Sequence, residues 1–220
     1  MRIYLIFFFL FFSSSLLFSQ KINEIDENGK KQGAWLKYYK NGNLRYQGEF
    51  RNDKPQGLFS YFYNSGELKV EKEFFHNGEA VATHFFYKDG NLKSSGLYVG
   101  ELKDSTWNYY SRDSVLIMSE QYHRGRLNGT TKTFYYDGSI FEVKNWENDL
   151  LHGSWTQFFV DGTLRMESSY RYDLRHGEQT SYFPNGNIYY NGFYTDDLKS
   201  GLWQFFTNDG RTDTLINYNE

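Results

Sequence analysis

The chain has 220 residues, no cysteine, 21% aromatic side chains and a formal net charge of −3. Lack of cysteine rules out a disulfide framework and thiolate metal sites. The near-balanced, interspersed charges offer no basic surface for nucleic acid.

Residues 1–20 open with Arg2, continue through the apolar run Ile3–Phe12 and end in the more polar Ser13–Gln20. This order reads as a signal peptide cleaved near Ser19 or Gln20. The alternative is an uncleaved anchor, although Ser13-Ser14-Ser15 breaks the run short of the roughly 20 apolar residues that a span needs. The protein is therefore expected to be exported: periplasmic, outer-surface or secreted. Beyond residue 20 nothing indicates membrane association. Residues 21–32 are polar and read as an N-terminal cap.

From Gly33 onward a 24-residue unit recurs eight times without insertion, as 33–56, 57–80, 81–104, 105–128, 129–152, 153–176, 177–200 and the shorter 201–220. Such a fixed period marks a repeat architecture. Each unit carries a turn pair, from Asn41-Gly42 to Asp209-Gly210. An aromatic lies four residues before the turn glycine (Tyr38, Phe62, Phe86, Tyr110, Phe134, Phe158, Tyr182, Phe206), and another lies eight residues after it. Asn-Gly and Asp-Gly suit a type I′ turn, so each unit is expected to be a β-hairpin. Pairing outward from Asn41-Gly42 sets Tyr39 opposite Leu44, Trp35 opposite Gly48 and Gly33 opposite Phe50. The Leu44 column then shares a face with Trp35 and Phe50, while Tyr38 points to the other. The predicted fold is all-β: an elongated antiparallel β-meander of eight hairpins, about 16 strands and roughly 75 Å long, with no helix after residue 20.

Two units depart from the pattern. In the third, Val81 replaces the opening glycine, Thr83 replaces the usual ring and Gly78 comes three residues early. In the fourth, Ser105 and Ser114 replace the opening and turn glycines, which predicts a different turn or a bulge at Asp113-Ser114. Both read as drift in a long array rather than as a site.

The pattern G-x-W-x-x-Y-Y-x-x-G-x-L starting at Gly33, the stretch Tyr46-Gln-Gly48-Glu-Phe50 with Gly57-Leu-Phe59, and the steps His152-Gly153 and His176-Gly177 resemble the MORN repeat. The 24-residue period and the doubled aromatic are similar to the bacterial variant of YwqK-type proteins, labelled antitoxin components. The resemblance implies an elongated antiparallel sheet, and relatives that act as scaffolds, membrane-apposed modules or immunity proteins. A cytoplasmic antitoxin role does not fit an export signal.

Candidate chemistry is sparse. Of the five histidines only His152 and His176 share a column, about two strands (~10 Å) apart, which suits loop capping better than a metal site. The acidic turn column, Asp89, Asp113, Asp137, Asp161 and Asp209, is explained by turn chemistry rather than by calcium. No nucleophile elbow or phosphate-binding loop is present. The expectation is no catalytic, cofactor or metal site, and hence no enzyme. The Trp35/Phe50 face is expected to pack ring on ring. The Tyr38 column, with polar companions Arg45, Gln47 and Glu49, is the candidate binding platform. The function read from the sequence is a non-catalytic scaffold of the bacterial cell envelope that binds a protein partner. A carbohydrate or cell-wall ligand on the aromatic rows, or an immunity role, is the alternative.

Overall fold

A computed structural model describes residues 21–219, in which seventeen strands run from Glu24–Ile25 to Thr212–Asn217. The expected signal segment Met1–Gln20 lies outside the described residues. Each strand pairs antiparallel with the strands before and after it in sequence, giving one open meander sheet. Within the cap, Glu24–Ile25 pairs with Lys31–Gln32 at the first edge. Among the described residues the one helical element is a 3-10 turn at His76–Gly78.

The turns are the reverse of those expected. At the Asn-Gly column only glycine has positive φ (Gly42, +87°). Gly42 N–H donates to Tyr39 O at 3.0 Å and Tyr39 N–H to Asn43 O at 2.8 Å. This is a three-residue loop, a type I turn closed by a left-handed glycine, and not type I′. The preceding Asp or Asn is needed for its side chain: Asp137 Oδ1, for example, accepts from Ser139 N–H at 2.9 Å. The type I′ turns lie between units, where both central residues have positive φ, as at Asn52-Asp53 (51° and 65°) and Asn148-Asp149 (51° and 71°). At six of the seven junctions between units, what reads as a polar loop is a two-residue turn; the seventh holds the 3-10 turn at His76–Gly78.

The extra loop residue changes the pairing. Trp35 does face Gly48 and Gly33 faces Phe50, but a bulge then sets Tyr38, not Tyr39, opposite Leu44. The same shift occurs in all eight hairpins. Directly opposed residues share a face, so the leucine column joins the Tyr38 column and leaves the Trp35 face. Ser114 does not force a different turn. It adopts φ +63° and its N–H donates to Ser111 O at 3.1 Å, as glycine does elsewhere. A non-glycine left-handed residue costs about 1 kcal/mol, so Ser114→Gly is expected to stabilise the protein by about 0.5–1 kcal/mol in a denaturant titration.

Neighbouring units are stapled at both ends of the strands. Near the glycine turns, the hydroxyls of Tyr39, Tyr63, Tyr87 and Tyr135 each donate to a backbone carbonyl 23 residues on, at 2.8–2.9 Å. At the other end, the aspartate of a type I′ turn bonds the unit before it in both directions. Asp149 N–H donates to Leu127 O at 2.9 Å, and Asp149 Oδ1 accepts from Leu127 N–H at 2.7 Å.

The core is a single layer of side chains on the Trp35 face. Phe59, Trp107 and Trp203 are each 1% exposed. Each lies on a glycine of the preceding unit: a Cβ placed on Gly48, Gly96 or Gly192 would come within 2.2–2.3 Å of that ring. Neighbouring rings then meet it edge-on, as Tyr98 does Trp107 (4.8 Å, 71°) and Tyr194 does Trp203 (5.1 Å, 86°), an arrangement favoured by the ring quadrupoles. At the intervening junctions a longer residue faces a shorter one: Lys72 opposes Thr83, Glu120 opposes Thr131 and Ser168 opposes Gln179. Lys144 opposing Trp155 is the exception. Backbone geometry repeats every 24 residues, whereas core packing alternates over two units, every 48.

Candidate functional site

The structure places the eight candidate platform residues in one row. Tyr38 is 54% exposed, and the other seven are half-buried. Each is paired with an aliphatic residue of its own hairpin (Phe134 with Ile140, Phe158 with Leu164), except Phe206, which pairs with Thr212. Rings and leucines therefore alternate strand by strand in a continuous apolar stripe. Beside the stripe the face is polar, with Gln47 opposite Ser60 and Glu167 opposite Thr180. Tyr182 is tied to this polar band, its hydroxyl donating to Glu167 at 3.0 Å.

On the opposite face, cations cover the aromatic core. Lys31 lies 4.8 Å from the Trp35 ring, Arg175 4.1 Å from Tyr194 and Lys199 4.2 Å from Trp203. Lys103 lies 4.7 Å from both Trp107 and Tyr122. These four residues stand two positions before the opening glycine or serine of a unit, a regularity present in the sequence that the aromatic columns overshadowed. Lys103 also donates to the Tyr109 hydroxyl at 2.7 Å, while the Tyr122 hydroxyl donates to Glu120 at 2.8 Å. Burial and then the Glu120 carboxylate push both phenols up, Tyr122 to about 12. Burial lowers the Lys103 ammonium, with Glu120 opposing. Phenols held protonated in this way serve as hydrogen-bond partners, not as bases near neutral pH.

Glu142 is a second polar centre, 7% exposed. It accepts from Lys144 at 2.7 Å, from Trp155 Nε1 at 2.9 Å and from Gln157 at 3.3 Å. Burial pushes its carboxyl up, but the Lys144 ammonium and the donors from Gln157 and Trp155 outweigh it and hold the group below the usual glutamate range.

The histidines do not converge. His152 rests on the Tyr172 ring at 4.6 Å, and His176 Nδ1 lies 3.1 Å from Asp196. Among the described residues no three His, Cys, Asp or Glu side chains come together to hold a metal ion. The turn carboxylates of Asp137 and Asp161 are lowered by their own turns, first by the hydroxyls of Ser139 and Thr163. No helix among the described residues is long and apolar enough to cross a membrane.

The geometry defines the class: an all-β scaffold of stacked hairpin repeats. The family described as MORN repeat variant matches residues 31–52, 55–79 and 175–196. Three units thus match the MORN repeat variant outright, and the remaining units share their aromatic and turn columns. No curated protein matches it. Among solved structures, one of the Photorhabdus luminescens Tc holotoxin pore aligns with 86% of this chain at 10% identity. Its TM-score of 0.17 is too low to indicate a common fold, and the aligned part spans 14% of that chain.

Proposed function

We propose that this chain is a non-catalytic scaffold, exported to the bacterial cell envelope, that binds a protein partner along the Tyr38 face. The observation that carries this reading is the stripe of alternating rings and leucines on an otherwise polar face. Large apolar strips rimmed by polar residues characterise interaction surfaces. The alternation with leucine favours a peptide or protein over a sugar, since sugars stack on rings. Export rests on the character of residues 1–20, and mass spectrometry of the protein from its host should find a new N-terminus near Lys21.

Binding is expected to be distributed over several units, each ring contributing on the order of 1–2 kcal/mol. The test uses a partner captured from envelope extracts and then purified. Phe134→Ser with Phe158→Ser should weaken its binding at least about tenfold, and the exposed Tyr38→Ser about fivefold or more if the stripe is engaged along its whole length. Because Phe134 and Phe158 are half-buried, circular dichroism of the double variant is part of the experiment. Unchanged affinity in a folded double variant would refute the platform, and retention on purified glycans without any protein partner would favour the carbohydrate reading.

A further inference from the structure

The third unit breaks the sheet's pattern, and the break opens a cleft on the Trp35 face. Six of the seven junctions between units contain a bulge, at which the opening glycine or serine takes positive φ. At the junction of Leu68–Phe75 with Ala80–Phe86 the pairing is regular. Val81 occupies the glycine position without positive φ, and the irregularity moves outward to the 3-10 turn, where Gly78 has φ +92°. Thr83, like Thr131 and Gln179 at the other intervening junctions, sets no ring over this one. The result is a cavity of about 420 Å³, within the range of about 300–1,000 Å³ typical of small-molecule sites.

Pro55, Phe74, Val81 and Tyr98 form its apolar walls, Glu101 stands on the type I′ turn at one end, and Lys72 lies furthest inward along the strands. The Lys72 ammonium makes no ion pair among the described residues, and the Tyr98 ring is 5.9 Å away. Thr83, directly opposite Lys72, is fully buried, and its hydroxyl has no hydrogen-bond partner. Tyr98 is held in place by its edge-on contact with Trp107, so one wall is preformed.

We propose that this cleft binds a small carboxylate with an apolar body, the carboxylate on Lys72 and the body between the Phe74 and Tyr98 rings and the Pro55 and Val81 side chains. A charge-assisted hydrogen bond to one lysine fixes the orientation, and burial of the apolar body against the walls supplies affinity. The acidic Glu101 at the turn end disfavours the reversed pose. The site is independent of the stripe, which lies on the other face.

Calorimetric titration of the full chain with 3-phenylpropionate and with its neutral isostere 3-phenylpropanol tests the proposal. The carboxylate should bind saturably and at least tenfold more tightly than the alcohol. Lys72→Met should reduce the carboxylate to the level of the alcohol while leaving the circular dichroism spectrum unchanged. Val81→Trp, which fills the cleft, should abolish both. Should Val81→Trp fail to fold, nuclear Overhauser contacts between probe ring protons and the Val81 methyls of the unaltered protein give the location. Absence of those contacts, no saturable binding, no preference over the alcohol, or an unchanged affinity in Lys72→Met would each overturn the proposal.

Discussion

Gly96→Ser alone should destabilise the protein by about 3 kcal/mol, and Gly96→Ser combined with Trp107→Gln should recover much of that loss. A Cβ on Gly96 would lie 2.2 Å from the Trp107 ring, a ring enclosed by Tyr98 and by the Lys103 side chain. It has nowhere to move, so the strain falls at the upper end of overpacking costs, about 1–3 kcal/mol. Trp107→Gln alone removes a buried ring and leaves a gap, at a cost of about 3–5 kcal/mol. Together the two changes recreate the Ser168–Gln179 pair found three units on. The coupling energy should therefore be large and favourable in a double-mutant cycle by chemical denaturation. Additive losses would show that the ring and the glycine are not a packing unit.

The second large effect is expected at Glu142. Glu142→Leu leaves Lys144, Trp155 Nε1 and Gln157 without their shared acceptor in a site where the glutamate and lysine side chains are only 9% and 27% exposed. Loss of one member of such a pair should cost about 2–3 kcal/mol, below the full range for deeply buried pairs because Lys144 retains some water. The carboxyl is held below its ordinary value near 4.5. Its stabilisation is thus complete above that value and is lost as pH falls through the lower, folded value. Chemical denaturation across pH 3–6 should show stability of the parent falling at the acid end, with a shallower fall in Glu142→Gln. Equal slopes would mean that the ion pair carries no net stabilisation.

The period, the strand count and the opposition of Trp35 to Gly48 were legible because aromatic and glycine columns are strong signals at fixed spacing. Turn identity was not. Asn-Gly is compatible with both a two-residue loop and a three-residue loop, and the choice turns on whether Asn41 also takes positive φ, which it does not. That one-residue difference carried the leucines to the other face. The type I′ turns were hidden because their sequences vary widely, from Asn52-Asp53 to Tyr172-Asp173, both pairs being left-handed. The bulge that brings each ring over a glycine in the neighbouring unit was also invisible, since it links columns 11 residues apart on different hairpins. At the candidate platform the rings themselves stand out in the sequence, but the bulge that sets their aliphatic partners on the same face does not. The cleft of the third unit was visible only as an irregularity, because a cavity arises from absent side chains.

The alternation of the core has a consequence for how such an array can change in length. A unit has a phase as well as a boundary. Excising residues 105–128 would join Gly96 to Thr131, two small residues with no ring between them, and leave a void where Trp107 had been. Excising 81–128 instead would bring Lys72 against Thr131, a junction of the same kind as the existing Lys72–Thr83 pair. Shortening or duplication by recombination should accordingly be tolerated in steps of 48 residues far better than in steps of 24, so that the hairpin is the unit of geometry while the pair of hairpins is the unit of inheritance.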